Sequence, residues 1–274
     1  MKIMIKKWFI NTTVIALPAI LLSQAVLADA TVTYEQLNGA QKTTNTMKIK
    51  NSKIRFTPPT QTNNYSIYDS QSGSLTHVDT SQKRYLSMDE KAIAEQAQKA
   101  REQKEQMRKA MEAKMEDMPP EQREQVEKMM NNHLARVDKT QPAPKLDQKK
   151  TGRTETIAGI ECTVYESFFN GVKVSEICIA EPDKMGLDAA DAQTLTNMQS
   201  FMKQMQKIAQ QMMNTNTPVS EINGIPLHTK LYAPDGSIKL ETRLSSINTD
   251  KLSDDTVSIP AGYSQIQMNQ MPGM

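Results

Sequence analysis

Residues 157–166 read Ile-Ala-Gly-Ile-Glu-Cys-Thr-Val-Tyr-Glu, and a related stretch with the sequence Ile-Asn-Gly-Ile-Pro-Leu begins 65 residues later at Ile222. In both copies an alternating run leads to a turn that ends in glycine, Asn170-Gly171 in the first and Asp235-Gly236 in the second. A second alternating run follows each turn, which is typical of a β-hairpin. We therefore predict two hairpins of one design, in tandem within a single sheet.

The first 28 residues have the features of a secretory signal peptide. Three lysines precede an apolar segment from Trp8 to Leu22, and Val26-Leu27-Ala28 places small residues before the predicted cut. A cut after Ala30 fits nearly as well. A membrane anchor is disfavoured, because polar residues interrupt the apolar run before it reaches the roughly 20 residues that a span needs. We expect a periplasmic protein, cleaved near Ala28, with no transmembrane segment in the mature chain.

The charge composition argues against nucleic-acid binding. The predicted signal contains three of the 33 Lys and Arg residues and none of the 31 acidic residues, so the mature chain is close to neutral. The only tryptophan, Trp8, also lies in the signal. The mature chain therefore has no basic excess with which to attract nucleic acid.

The remaining sequence predicts a mainly β protein with inserted helices (α+β). Between residues 31 and 88, short alternating runs are separated by turn residues, which favours an up-and-down meander of antiparallel strands. We expect one sheet domain over residues 29–266, completed by a closing strand near Val257 and by residues 260–266. A flexible Met-rich tail is expected at 267–274.

Two helices are expected to form an αα-hairpin over residues 87–137. Ser87 and Glu90 match a capping box, and no Gly or Pro follows until Pro119. A second helix is predicted from residue 121 to about Val137. Residues 138–150 are predicted to be an extended polar linker, because Pro residues there stand among Lys, Gln and Asp.

A third helix is predicted over residues 188–213, with Asp188 as its N-cap. Its apolar residues recur at helical spacing, which indicates one buried face. The stripe consists of Leu195, Met198, Met202, Met205, Ile208 or Ala209, and Met212.

Cys162 and Cys178 are the only cysteines, and they lie on the two arms of the first hairpin. If residues 169–171 form a three-residue loop, Cys162 faces Cys178 and a disulfide can form. If Asn170-Gly171 is a two-residue loop, the two side chains point to opposite faces of the sheet. We favour the disulfide, as a structural cross-link in an exported protein.

The second hairpin has one apolar face and one polar face. With Ala233 opposite Ile238, the apolar face contains Leu227, Thr229, Leu231, Ile238, Leu240 and Leu244. His228 lies on the polar face, and no Ser, Asp or second His is spaced to complete a catalytic triad. We therefore expect His228 to be structural and predict no catalytic residue and no cofactor.

Methionine is unusually frequent, with 19 residues in all. A Met stripe can be ordinary core packing, an adaptable surface for apolar ligands, or a thioether site for Cu(I). Packing is the default interpretation. The best candidates for a copper site are Met268, Met271 and Met274 in the tail, although no His or Cys lies beside them.

Several of these stretches together resemble a known family. They are the Ile-Ala-Gly-Ile-Glu-Cys hairpin with Ile177-Cys-Ile-Ala, the Met-rich helix after it, the Gly-Ile-Pro-Leu hairpin and the terminal Ile-Pro-Ala-Gly-Tyr. The chain resembles an uncharacterised family of exported bacterial proteins related in architecture to outer-membrane lipoprotein carriers (LolA/LolB-like). The resemblance implies a curved, incompletely closed antiparallel sheet whose concave side is covered by a helical lid and holds acyl chains without catalysis. The inserted αα-hairpin departs from the carrier pattern.

The function expected from the sequence is non-enzymatic binding of a hydrophobic small molecule, a lipid or a lipidated or apolar peptide, compatible with peripheral association with the cell envelope. The expected contacts come from the third helix and the second hairpin: Met198, Met202, Met205, Leu227, Leu231 and Leu240. Two alternatives stay open at this point. One is a Met-rich copper-binding protein, and the other is a purely structural envelope protein.

Overall fold

The computed structural model describes residues 29–57, 63–116, 119, 146–213 and 222–267. Within these ranges, all twelve strands belong to one open, curved sheet. The predicted signal peptide, the second helix of the αα-hairpin and the tail residues Met268, Met271 and Met274 lie outside the described residues. The expected class, mainly β with inserted helices, is confirmed.

The first half of the sheet is the predicted meander, in which each strand pairs antiparallel with the next. Two of its turns have two residues, and Asn51 and Ser52 both have positive φ, as a tight hairpin turn requires. The six strands are β1 (Ala30–Asn38), β2 (Gln41–Lys50), β3 (Lys53–Phe56), β4 (Asn64–Asp69), β5 (Ser74–Asp79) and β6 (Arg84–Asp89).

The second half joins the first where β11 pairs with β1, so that the order across the sheet is β12-β6-β5-β4-β3-β2-β1-β11-β10-β9-β8-β7. The two predicted hairpins, β8–β9 and β10–β11, are therefore neighbours in one sheet. The strands are β7 (Leu146–Ile157), β8 (Ile160–Phe169), β9 (Val172–Ala180), β10 (Ile225–Tyr232), β11 (Ile238–Asn248) and β12 (Ser264–Gln265).

Two predictions for this half were wrong. Part of the expected polar linker, from Leu146 onward, is the edge strand β7. An edge strand tolerates charged side chains along its length, so its sequence lacks the usual alternation. The expected strand near Val257 is a 3₁₀ helix, Asp254–Val257. The segment 260–266, which was also expected to complete the sheet, does so through β12, which is parallel to β6.

The first hairpin contains the predicted disulfide between Cys162 and Cys178, with the two Cα atoms 5.4 Å apart. The expected loop was wrong, because Phe169 pairs with Val172 and the turn has only two residues, both with positive φ. A bulge between Ser167 and Phe168 then shifts the register by one residue and places Cys178 opposite Val164. The two cysteines consequently share a face and meet diagonally.

Helix α1 (Glu90–Glu116) is capped by Asp89, whose Oδ1 accepts a hydrogen bond from the Ala92 N–H at 2.7 Å. The predicted capping box at Ser87 was wrong, because Ser87 still belongs to β6 and accepts a hydrogen bond from Thr76. Near the start of α1, Ile93 and Ala97 are buried, whereas Met107 further along is exposed. The helix is thus anchored mainly through its first turns.

Helix α2 (Ala189–Met213) covers one face of the sheet and contacts β2, β3 and α1. Leu195 is buried in the core, and the Phe201 ring lies 5.3 Å from the ring of Tyr68 on β4. The predicted stripe omitted Phe201. The core under α2 includes the fully buried Val32, Ile49 and Ile54 of the meander.

Candidate functional site

Helix α2 is fixed at its start by the cap that the sequence predicts. The Asp188 Oδ1 accepts a hydrogen bond from the Asp191 N–H at 2.7 Å, which satisfies one of the free N–H groups of the first turn. A 3₁₀ helix, Pro182–Met185, precedes this cap, and its Met185 is buried. The chain therefore leaves β9 and enters α2 along a fixed path across the sheet.

A cavity of about 620 Å³ lies between α2 and strands β9 and β10. This volume falls within the range of about 300–1,000 Å³ that is usual for small-molecule sites. The wall consists mainly of aliphatic and thioether side chains. The lining residues are Ile177, Ile179, Met198, Gln199, Met202, Lys203, Met205, Gln206, Ala209, Ile222, Gly224, Pro226 and Thr229.

The sheet wall of the cavity follows from strand register. Thr229 of β10 pairs with Ile177 of β9, and Pro226 pairs with Ile179, so these side chains share one face. The helix wall follows from the 3.6-residue period, because Met198, Met202 and Met205 lie on one side of α2. Met202 is 47% exposed, although its neighbours on the helix are half-buried. The cavity therefore combines a half-buried floor of strand residues with an accessible side at Met202.

One rim of the cavity is polar and is formed by the segment that leads into β10. Gln199 Nε2 donates to the Gly224 carbonyl at 2.8 Å, and Lys203 Nζ donates to the Ile222 carbonyl at 2.7 Å. Gly224 has φ +112°, and a Cβ there would lie 2.5 Å from Ile179 Cγ2. Only glycine therefore permits this close approach of the backbone to β9.

The residues predicted to contact a ligand fall into two groups. Met198, Met202 and Met205 line the cavity. Leu227 is fully buried in the core, Leu231 is 38% exposed, Leu240 is half-buried, and none of the three lines the cavity. The structure thus places the three methionines together and the three leucines elsewhere.

The predicted apolar face of the second hairpin was wrong near its turn. Tyr232, not Ala233, pairs with Ile238, because a bulge between Leu231 and Tyr232 shifts the register. Leu231 and Ile238 lie beside the turn, at the end of the hairpin away from the buried Leu227 and Leu244, and both are exposed. The apolar residues of this hairpin therefore extend past the buried core into its exposed end near the turn.

The opposite face of the same strands holds His228. Its Nε2 lies 2.6 Å from Glu241 on β11, and its Nδ1 lies 3.5 Å from Glu155 on β7. In a flat sheet β7 and β10 would be about 14 Å apart. The contact, together with the approach of β7 to β11, indicates that strands β7–β11 roll up with this face inside. His228 is paired with carboxylates on the face away from the cavity.

An ion-pair network lies on this rolled face. Glu176 accepts hydrogen bonds from Arg153 at 2.8 Å and from Lys173 at 2.9 Å. Burial by itself raises the pKa of Glu176, but these two cations outweigh it and lower that pKa to about 2. Sequence reasoning missed the network, because Arg153 lies on β7, which was not predicted as a strand.

Asp191 is the most unusual carboxyl group near the site. It is 2% exposed, and its Oδ2 has no hydrogen-bond partner in the part of the chain that the structure describes. Burial, and then repulsion by Asp188 and Asp29, raises its pKa to about 7. Asp191 does not line the cavity, so it stands apart from any ligand there. The sequence contained no signal for it beyond an acidic residue in a first helical turn.

The structure also bears on metal binding and on membrane spans. Within the described residues, no group of three or more His, Cys, Asp or Glu side chains is placed to hold a metal ion. None of the described helices combines the length and hydrophobicity that a membrane span requires.

Comparisons with known proteins give one family and several remote structures. Residues 126–263 match a domain of unknown function (DUF4412). A search of the curated proteins gives no significant match.

Three similar solved structures have sequence identities of 10% or less. An uncharacterized conserved protein from Thermus thermophilus has 7% identity and a TM-score of 0.40, covering 88% of this chain and 91% of that one. The MucA/MucB complex of Pseudomonas aeruginosa has 9% identity and a TM-score of 0.37, covering 85% and 56%. A DUF1329 family protein from Desulfovibrio piger has 10% identity and a TM-score of 0.25, covering 85% and 91%. At these scores the similarities carry no argument about function.

Proposed function

We propose that this chain, which belongs to the DUF4412 family of domains of unknown function, binds an acyl chain between α2 and the sheet. The family model matches slightly more than half of its 274 residues. The acyl chain is that of a lipid or a lipidated peptide. The observation that carries the proposal is the cavity of about 620 Å³ lined by Met198, Met202 and Met205 on one side and by Ile177 and Ile179 on the other.

The wall chemistry suits an acyl chain. Burial of apolar surface stabilises a complex by about 25 cal/mol per Å², and methionine adapts its shape to a flexible chain. The exposed side of Met202 offers a path into the cavity. The lining contains no His, Cys, Asp or Glu, so the proposal includes no catalytic step.

The proposed location is the periplasm. The Cys162–Cys178 disulfide supports an oxidising compartment outside the cytoplasm, since such bonds are rare in reducing compartments. Cleavage of the predicted signal near Ala28 belongs to the same proposal. The acyl ligand would then come from the envelope or from an exported lipidated peptide.

The proposal is tested by titrating delipidated protein with the neutral fluorescent probe N-phenyl-1-naphthylamine, followed by displacement with acyl compounds. Ala209→Trp places a bulky ring in the cavity wall and is expected to weaken probe binding at least tenfold. Ser200→Trp adds the same ring at an exposed position of α2 outside the cavity and is expected to leave binding unchanged.

Two results would contradict the proposal. One is the absence of saturable binding in the wild-type protein, which would favour a purely structural role in the envelope. The other is equal binding by Ala209→Trp and Ser200→Trp, which would place the apolar site elsewhere on the protein.

A further inference from the structure

The cavity between α2 and the sheet has one charged side chain in its lining, Lys203. Its Nζ donates to the Ile222 carbonyl at 2.7 Å and to the Asn223 Oδ1 at 2.9 Å. Both acceptors are neutral. Within the described residues, no carboxylate lies within ion-pair distance of the Lys203 Nζ, so none of them neutralises its positive charge at the cavity.

The hydrogen bonds leave part of the ammonium group available. A lysine ammonium has three N–H donors, and two are used by the segment that leads into β10. Lys203 is half-buried, so water solvates the remaining donor only in part. A charge in such a position gains from an anionic partner more than an exposed lysine does, because the solvent screens it less.

The position of Lys203 gives the cavity two chemically different ends. Lys203 lies one helical turn after Gln199, and both side chains bond to the 222–224 segment at the rim. Apolar side chains, among them Ile177, Ile179 and Met205, form most of the remaining lining, which also includes Gln206 and Thr229. A ligand with a polar end and an apolar end therefore matches the cavity better than a wholly apolar one.

We propose that the ligand is an anionic amphiphile, with its acyl chain against Ile179 and Met205 and its carboxylate or phosphate at the Lys203 Nζ. This inference rests on the proposed function and specifies the ligand for the same cavity. A carboxylate can come from a free fatty acid and a phosphate from a phospholipid head group, and both accept the same charge-assisted hydrogen bond.

The experiment compares three ligands of equal chain length in displacement of N-phenyl-1-naphthylamine, all below their critical micelle concentrations. Dodecanoate is anionic, dodecan-1-ol is neutral and dodecyltrimethylammonium is cationic. Lysophosphatidic acid of the same chain length then distinguishes a phosphate source from a carboxylate source. Each ligand is measured at low and at high salt.

The test variant is Lys203→Gln, which removes the charge and keeps an amide that can bond to Ile222. The matched control is Lys207→Gln, because Lys207 is exposed on the same helix and does not line the cavity. The wild-type protein is expected to prefer dodecanoate to dodecan-1-ol by about tenfold. Lys203→Gln is expected to lose that preference through weaker dodecanoate binding, and Lys207→Gln is expected to keep it.

High salt is expected to weaken dodecanoate binding and to leave dodecan-1-ol binding unchanged. Equal affinity of the wild-type protein for the three dodecyl compounds, or an unchanged preference in Lys203→Gln, would overturn the head-group inference alone. Failure of all three compounds to displace the probe or to bind would instead contradict the proposed function.

Discussion

Asp191 is buried in the first turn of α2, and its unpartnered Oδ2 makes the ionised form unfavourable. Burial is the main cause that raises the pKa from 3.8 to about 7, with repulsion by Asp188 and Asp29 adding to it. Between these two values the folded protein retains a proton that the unfolded chain releases. The stabilising contribution of protonated Asp191 is thus complete below about pH 4 and is lost as the pH rises through 7.

Asp191→Asn is therefore expected to increase the free energy of unfolding at pH 8 by about 1–3 kcal/mol, because the buried charge is removed. At pH 4, where Asp191 is already protonated in the folded protein, the expected change is small. Urea denaturation at both pH values measures the difference. Asp183→Asn, at an exposed position, serves as the control, and the same effect of Asp191→Asn at both pH values would contradict the assignment.

Asp29 is also buried, and its carboxylate pairs with the Lys50 Nζ at 2.9 Å and accepts a hydrogen bond from the Leu252 N–H at 2.6 Å. Burial alone raises the pKa of Asp29, but these two hydrogen bonds outweigh it and leave that pKa below its ordinary value. Asp29→Ala removes the closer of two carboxylates that pair with the buried Lys50, the other being Asp254 at 3.3 Å, so a loss of more than about 1 kcal/mol is expected in chemical denaturation. A cut after Ala30 would also remove this carboxylate, so the exported protein is expected to begin at Asp29.

The control for Asp29→Ala is Glu35→Ala, which breaks the exposed Lys42–Glu35 pair and is expected to cost under about 1 kcal/mol. Equal losses in the two variants would mean that burial of the Asp29–Lys50 pair has no special effect. An N-terminal sequence that starts at Thr31 would contradict the predicted processing.

At the scale of elements, the disulfide links β8 to β9 beside a bulge. Replacing both Cys162 and Cys178 with Ala is expected to lower the free energy of unfolding by about 3 kcal/mol, as the chain-entropy account gives for a loop of this size. The measurement is urea denaturation of oxidised wild type, reduced wild type and the double variant. If reduction and double replacement both left the stability unchanged, the cross-link would have no stabilising role.

The elements that the sequence predicted well are those with strong local signals. The meander and α2 follow from alternation and from the 3.6-residue period, and Asp188 from its place before a helical run. The disulfide was predicted from an incorrect loop, because alternation does not reveal the bulge after Ser167 that restores the register. The edge strand β7 was missed, because a strand open to solvent does not need apolar alternation.

For the whole molecule, the methionine spacing identified one wall of the cavity but not the other. Ile177 and Ile179 were visible as strand residues, yet their position under α2 depends on the path from β9 through the 3₁₀ helix. Lys203 had no local signal at all, because its role depends on a segment about 20 residues away. Contacts between distant elements depend on tertiary packing, which local patterns do not encode.

The copper alternative makes a different prediction for the methionines in the cavity. Changing Met198, Met202 and Met205 together to Leu keeps the apolar volume, at an expected cost under about 1.5 kcal/mol for each position. Acyl binding is expected to stay within about threefold of wild type, because the wall remains apolar. A competition assay with a Cu(I) chelator, with and without residues 267–274, is expected to show weak or no affinity. Tight Cu(I) binding that disappears in the triple variant would favour the metal function.

Photo-crosslinking tests whether an acyl chain lies between α2 and strands β9–β10. Delipidated protein is irradiated with a dodecanoic acid that bears a diazirine near its methyl end, and the modified peptides are identified by mass spectrometry. Saturable labelling is expected on peptides that contain Ile177, Ile179, Met202 or Met205. Excess unlabelled dodecanoate is expected to abolish this labelling. Labelling concentrated on the rolled face around Glu155 and His228, or labelling that the competitor does not reduce, would contradict binding between α2 and strands β9–β10.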